Sequence, residues 1–361
     1  MFPRRRTVPP FLAAFLFLAS FAAAAQRSAS DPSSGLINPQ GIAFNPVSGK
    51  VYVVDAAHAT VDVIDAASQR VVRVAVGSSP ISVAVDSASG RAYVANAGDG
   101  TVSVIDGTSD RVLATVAVGT NPYSIAANPR TGTVYVSHTF SNRTAVLDPA
   151  TNRVTQLTTG AIDLIAIDAA ANTAYLLGYE GGTLTVLEGT GPALRKQEAG
   201  PHAWGMAVNE ATHTLYVARM GTGDVIAIQG TSSSVFPAGR TPCAVAVNPG
   251  ANTIFVANYA DGSVTILDAA TGRGIAAIPV GKHPQALAVD ARRNLVYVAN
   301  TFSGTVTVID AERRRVVATL PAGKAPYALA VDPGSSRLYV ANEVGEQPFT
   351  IVDAKIAAGR K

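Results

Sequence analysis

PQALAVDARRNLVYVANTFSGTVTVID, residues 284–310, holds three short segments rich in Val, Ala, Ile and Thr, parted by ARRN and TFSG. Segments of this length and composition, closed by turn residues, are consecutive strands of antiparallel hairpins. The tyrosine in the middle segment, Tyr297, is one of a series: Tyr52, Tyr93, Tyr135, Tyr175, Tyr216, Tyr297 and Tyr339, with Phe255 filling the gap, so that one unit recurs every 39 to 42 residues. A period of this length accommodates four short strands and their turns, and units of that size stacked side by side are the blades of a β-propeller.

Working outward from the tyrosines, every copy keeps register. Taking a proline-like position as the start gives Pro39, Pro80, Pro122, Ile162, Ala203, Pro242, Pro284 and Pro326. Four residues on stands alanine in each copy (Ala43, Ala84, Ala126, Ala166, Ala207, Ala246, Ala288 and Ala330), which implies close backbone approach around an axis. Six residues on stands Asn or Asp (Asn45, Asp86, Asn128, Asp168, Asn209, Asn248, Asp290 and Asp332), whose side chains bond to backbone in the turn that follows. The third strand ends on an acid, Asp65, Asp106, Asp148, Glu188, Asp268, Asp310 and Asp353, with Gln229 the exception. A carboxylate repeated in seven of eight copies is read as a turn former rather than as a catalytic or calcium-binding group. Fourth strands are expected at Val71 to Val76, Val112 to Val118, Ile275 to Val280 and Val316 to Leu320, among seven such segments in all. The chain ends eight residues after Asp353, so closing the last blade calls on the other terminus, with Ser33 to Ile37 as the candidate strand. The expected architecture is all-β, a propeller of about eight four-stranded blades, seven being the alternative, closed with an N-terminal strand.

These residues resemble the YVTN-repeat β-propeller family, whose Pro-x-x-Ile-Ala-Val-Asn-Pro, Tyr-Val-x-Asn and Val-Ser-Val-Ile-Asp consensus is matched closely by Pro122 to Tyr135 and Pro242 to Asp268. The likeness covers residues 39–353. It implies an exported, surface-layer or periplasmic binding protein. It supplies no shared catalytic residue to carry over, and known members often have seven blades.

Destination and charge come from the N-terminus. Arg4, Arg5 and Arg6 precede an apolar run from Phe11 to Phe21 and the small residues Ala22 to Ala25. This pattern is a secretory leader over residues 1–25, followed by an N-terminal segment, 26–38, and a single propeller domain, 39–361. The run is shorter than the roughly 20 residues that cross a bilayer, and no later segment approaches that length. Three of the 28 basic residues lie in the leader, which leaves 25 against 25 acidic residues in the mature chain. A neutral protein lacks the field that draws polyanions, which argues against nucleic acid as a partner. The one cysteine, Cys243, excludes an intramolecular disulfide and a Cys-paired metal site. The five histidines have no paired metal-ligand spacing, although His202 and His283 precede the first strands of copies five and seven and so are placed to face a common opening. There is no haem-attachment motif and no blade-wise tryptophan of a quinone propeller, so no metal and no cofactor is expected.

A site is sought where the repeat breaks. The residue after each proline-like position varies freely: Gln40, Ile81, Tyr123, Asp163, Trp204, Cys243, Gln285 and Tyr327. The asparagine ending the second strand survives as Asn96, Asn258, Asn300 and Asn342 but becomes Asp55, His138, Gly178 and Arg219 elsewhere. Both positions fall on one rim, because strands that run antiparallel bring the start of the first beside the end of the second. The non-repeat aromatics Tyr123, Tyr179, Tyr259, Tyr327, Phe140, Phe302 and Trp204 share that rim. Departures crowd into copies three to five, giving Tyr123, His138, Arg143, Asp163, Tyr179, Glu180, Trp204 and Arg219 as candidate binding residues, with a salt bridge expected from Arg219 to Asp163 or Glu180. The expected role is a non-enzymatic scaffold of the cell envelope that docks a protein or glycan. Two other readings are a lactonase-like hydrolase using His138, Arg219 and Glu180, and single-stranded nucleic-acid binding through rim aromatics and arginines. No nucleophile elbow, phosphate loop or zinc-protease motif occurs, so no catalytic residue is assigned.

Overall fold

The computed structural model describes residues 41–138, 141–189, 194–344 and 348–353. The leader, the Ser33 to Ile37 candidate strand, Pro39, Gln40 and Phe140 lie outside the described residues. Among these residues, apart from two single-turn 3-10 helices at Pro249–Ala251 and Thr301–Ser303, the regular structure is all β. Eight antiparallel sheets follow one another along the chain, seven of four strands and the last of three among the described residues. Blade one covers residues 42–75, and blade seven, which holds residues 284–310, covers 284–321. The first strands of neighbouring blades touch all the way round, that of blade eight (Lys324–Asp332) returning to that of blade one (Ile42–Asn45). Eight blades therefore close the ring. The drifting fourth copy, which lacks both proline and asparagine, still builds a full four-stranded blade.

The strands divide by position in the blade. First strands are mostly half-buried, as in Ala203–Asn209 and Pro284–Asp290, whereas second and third strands are buried almost throughout and fourth strands are largely exposed. Second and third strands are covered on both faces because each blade is sandwiched between two others, so the alternation in Val-x-Val-Ile-Asp does not separate a wet face from a dry one. The alternate polar residues Ser103, Thr265 and Thr307 are themselves buried.

Alanine and tyrosine of the repeat are cross-strand partners, Ala84 with Tyr93 and Ala288 with Tyr297, and the same pairing holds in all eight blades with Phe255 in place of tyrosine once. Each ring then reaches into the next blade. Tyr52 packs with Val83 and Val94 of blade two, Tyr297 with Leu338 and Val340 of blade eight, and Tyr339 with Val51 and Ile64 of blade one. The turn formers behave as the sequence requires. All eight Asn and Asp side chains after the first strand accept a backbone N–H from the following turn, for example Val47 to Asn45 at 3.0 Å and Gly334 to Asp332 at 2.8 Å. Five of the third-strand acids, Asp65, Asp106, Asp148, Asp268 and Asp310, do likewise, with Ser68 N–H to Asp65 at 2.7 Å and Thr271 N–H to Asp268 at 2.8 Å, whereas Glu188 pairs with Arg195 at 3.1 Å.

Burial raises the phenol pKa of all seven repeat tyrosines, Tyr297 to about 12. A raised pKa in the fold means that the protonated form is favoured by folding, so this stability is present below the ordinary value near 10 and is lost as pH rises through the folded values. Alkaline titration should accordingly show tyrosinate absorbance and loss of β circular dichroism rising together above that value. A smooth phenol titration with the fold intact would contradict this packing.

Candidate functional site

The upper rim is built from the starts of first strands and the ends of second strands, with Pro80 opposite Asn96, Pro242 opposite Asn258 and Pro284 opposite Asn300. Just inside it, the first strand carries an extra residue in blades two, three, five, six, seven and eight. A bulge of this kind re-aims a side chain, and the residue it inserts is the variable one: Ile81, Trp204, Cys243, Gln285 and Tyr327, with Tyr123 and Ser124 together opposing one residue in blade three. In blade four the equivalent Asp163 precedes the strand and is held by its own N–H to the Leu177 carbonyl at 2.9 Å. Ile81, Tyr123, Asp163, Trp204, Gln285 and Tyr327 are half-buried, as expected around an axial opening, while Cys243 is buried. The Cys243 thiol lies 3.1 Å from the Pro284 carbonyl, and burial pushes its pKa up to about 12, which makes it a packing residue rather than a nucleophile.

Four of the candidate residues come together. The Tyr179 N–H donates to Asp163 Oδ2 at 2.7 Å, and the buried Tyr179 ring meets Trp204 edge-on at 5.2 Å and lies 5.5 Å from His202. Burial, with a further push from nearby Glu180, outweighs the Tyr179 hydrogen bond and raises the Asp163 carboxyl above the usual range. Tyr123 is raised by burial and by Asp163. Tyr327, from blade eight, is raised by burial and then by Tyr123 and Glu343, which places the two tyrosines within electrostatic reach of each other although three blade gaps separate them along the ring. Glu343 is itself raised by burial.

The remaining candidates serve the scaffold. Arg219 pairs with Asp224 at 2.6 Å across its own hairpin, with both side chains largely enclosed, instead of reaching Asp163 or Glu180. His138 is buried, with Nε2 3.0 Å from the Val118 carbonyl and Nδ1 3.3 Å from the Arg143 carbonyl, and burial lowers its pKa. It replaces the repeat asparagine as a partner for backbone, and the Gln156 amide donates to the same Val118 carbonyl at 2.6 Å. Arg143 and Glu180 are exposed. The hydrolase reading needs His138 and Arg219 to be presented to substrate, and the bonds just described turn both toward protein.

His202 and His283 belong to two separate aromatic groups rather than to one opening. His283 stacks on Tyr259 at 4.2 Å and meets exposed Phe302 at 4.2 Å, while His202 sits beside Tyr179. This Tyr-His pairing across a blade gap, in Tyr179–His202 and again in Tyr259–His283, was legible as a tyrosine after the second strand and a histidine before the next first strand. Among the described residues no group of three or more His, Cys, Asp or Glu is arranged to hold a metal ion, and no helix is long and apolar enough to cross a membrane.

Comparison with known proteins agrees with the repeat. Residues 217–354 match the model of the YNCE-like β-propeller family, and the eight-bladed ring is consistent with a YVTN-type propeller. No curated protein sequence matches the chain. Among solved structures, hydrazine synthase of Kuenenia stuttgartiensis is similar over 90% of this chain and 97% of its own, at 18% identity and a TM-score of 0.63. Sqt1 of Saccharomyces cerevisiae is similar over 88% of this chain and 96% of its own, at 11% identity and a TM-score of 0.71. A catalytically inactive variant of virginiamycin B lyase from Staphylococcus aureus, solved with quinupristin, covers 74% of this chain and 93% of its own at 12% identity and a TM-score of 0.59. At these identities the likeness concerns the fold.

Proposed function

We propose that this chain is an exported, non-enzymatic binding scaffold of the cell envelope that docks a protein or glycan on its upper rim. The observation that carries the reading is the bulge position. It is half-exposed around the axis in Ile81, Tyr123, Trp204, Gln285 and Tyr327, and it is where the repeat tolerates any side chain while alanine, Asn or Asp and tyrosine stay constant a few residues away. Rigid aromatics at such a place are the anchors of recognition surfaces. Export is supported by the leader-like N-terminus, and a neutral mature charge suits a partner recognised by contact rather than by long-range attraction.

Affinity capture from envelope extract tests this. A partner retained by the native protein should be lost when Tyr123→Ala and Trp204→Ala are combined, provided circular dichroism shows the fold intact. The two truncations together should weaken retention at least tenfold, since buried aromatic anchors typically contribute about 2 kcal/mol or more each. Equal retention by both forms would move the docking surface off this rim, and finding the protein in the cytoplasmic fraction of its own cells would remove the envelope assignment.

A further inference from the structure

The ring of side chains at the mouth has an unusual composition for a protein of zero mature charge. Going round the described blades it offers Ile81, Tyr123, Asp163, Trp204, Gln285 and Tyr327: three aromatics, one carboxylate and no cation. Glu343 adds a second half-buried carboxylate near Tyr327, and Glu180 a third, exposed, near Asp163. The cation that the sequence suggested as their counter-charge, Arg219, is committed to Asp224. Asp163 makes no ion pair among the described residues, and its carboxylate accepts the Tyr179 N–H.

A half-buried carboxylate without a counter-ion, on a rim shared with three aromatic residues, is the chemistry that recognises an ammonium group: the ring quadrupoles attract positive charge and the carboxylate completes the neutralisation. A hard metal ion is a poorer match, because calcium takes six to eight oxygen ligands and aromatic faces supply none. An anion would find no cation among these ring residues and a carboxylate to repel it. We propose that the axial mouth lined by Tyr123, Asp163, Trp204 and Tyr327 binds a substituted ammonium group. This deepens the docking reading by naming the partner's chemistry at the mouth, and it rests on that reading only in using the same rim. The upward displacement of Asp163, Glu343, Tyr123 and Tyr327 agrees with it, since all four report a place where negative charge is costly until positive charge arrives.

Trp204, the chain's single tryptophan, is a built-in reporter. Choline chloride titrated into the purified protein should change its emission saturably, with sodium chloride at matched ionic strength producing no such curve. The neutral tert-butyl analogue of choline, equal in shape but uncharged, should bind roughly tenfold more weakly, and so should choline to the Asp163→Asn variant, which keeps an acceptor for the Tyr179 N–H. Circular dichroism of that variant guards against a folding artefact, and Tyr327→Ala, remote in sequence, provides a second mouth variant with the same expected loss. Absence of saturation, equal binding of the neutral analogue, or unchanged affinity in folded Asp163→Asn would each overturn the proposal. If the cation response stands and no envelope partner is captured, the docking reading fails alone; capture without a cation response removes only the ammonium site.

Discussion

Replacing Tyr297 by alanine is expected to destabilise the protein by about 3–5 kcal/mol, the range for deleting a fully buried aromatic ring. The ring is 0% exposed and fills the gap between blades seven and eight, against Leu338, Val340 and Val352, so its loss opens a cavity between two rigid sheets that cannot collapse independently of the closed ring. The hydroxyl is a different matter. Tyr297 Oη is buried without a hydrogen-bond partner, as are those of Tyr52 and Tyr339, whereas Tyr216 Oη donates to the Ala269 carbonyl at 2.7 Å. Tyr297→Phe should therefore leave stability within about 1 kcal/mol of the parent or raise it, while Tyr216→Phe should cost about 1 kcal/mol and orphan a carbonyl. Urea denaturation of the three variants checks this, and a Tyr297→Phe loss as large as that of Tyr297→Ala would show that the oxygen, not the ring, holds the blades. Packing is also why the chain accepts Phe255 at this position once: the ring is required, and at Tyr297 the oxygen has nothing to bond.

The propeller was legible because every element of it is repeated. The facing alanine recurs eight times, the tyrosine and the third-strand acid seven times and the second-strand asparagine four times, and each has one physical task that its residue type already states. The binding face was legible only as variability. Its geometry depends on the bulge, which leaves no residue signature of its own, since Ile81, Trp204, Cys243 and Tyr327 occupy it alike. The fate of Arg219, by contrast, was written in the repeat. In three other blades the residue ending the second strand and the residue beginning the third are a bonded pair, Asn96 with Thr101, Asn258 with Ser263 and Asn300 with Thr305, facing each other across the turn. Arg219 and Asp224 occupy those two positions in blade five, so both partners changed together and the ion pair replaces the amide-hydroxyl bond. The change is visible only when the two positions are taken together. It also separates Arg219, which has an assigned partner, from Asp163, which has none of opposite charge.

Asn300→Ala is expected to cost about 2–4 kcal/mol, a large effect for so small a change in volume, because the asparagine closes three bonds at once. Its Oδ1 accepts the Gly281 N–H at 3.1 Å, and its Nδ2 donates to Thr305 Oγ1 at 3.2 Å and Thr307 Oγ1 at 2.8 Å, all at a residue with 0% exposure. Truncation strands a buried backbone donor and two hydroxyls, each a loss of order 1 kcal/mol or more. Gly281 cannot close the gap by substitution, since a Cβ there would stand 2.6 Å from Asn300 Cγ, so glycine and asparagine are specified together. Asn258 repeats the arrangement with Gly239, Ser263 and Thr265, and that recurrence supplies the control. Asn258→Ala should cost a similar amount, whereas Asn300→Asp, which keeps the acceptor for Gly281 and lets the two threonine hydroxyls turn to donate, should retain more than half of the lost stability. Thermal denaturation of the three variants measures it. Equal losses for Asn300→Ala and Asn300→Asp would mean that the donated bonds to threonine matter more than the accepted one, and a loss under about 1 kcal/mol for both alanine variants would show that the network is dispensable and that the repeat keeps asparagine for some reason other than stability.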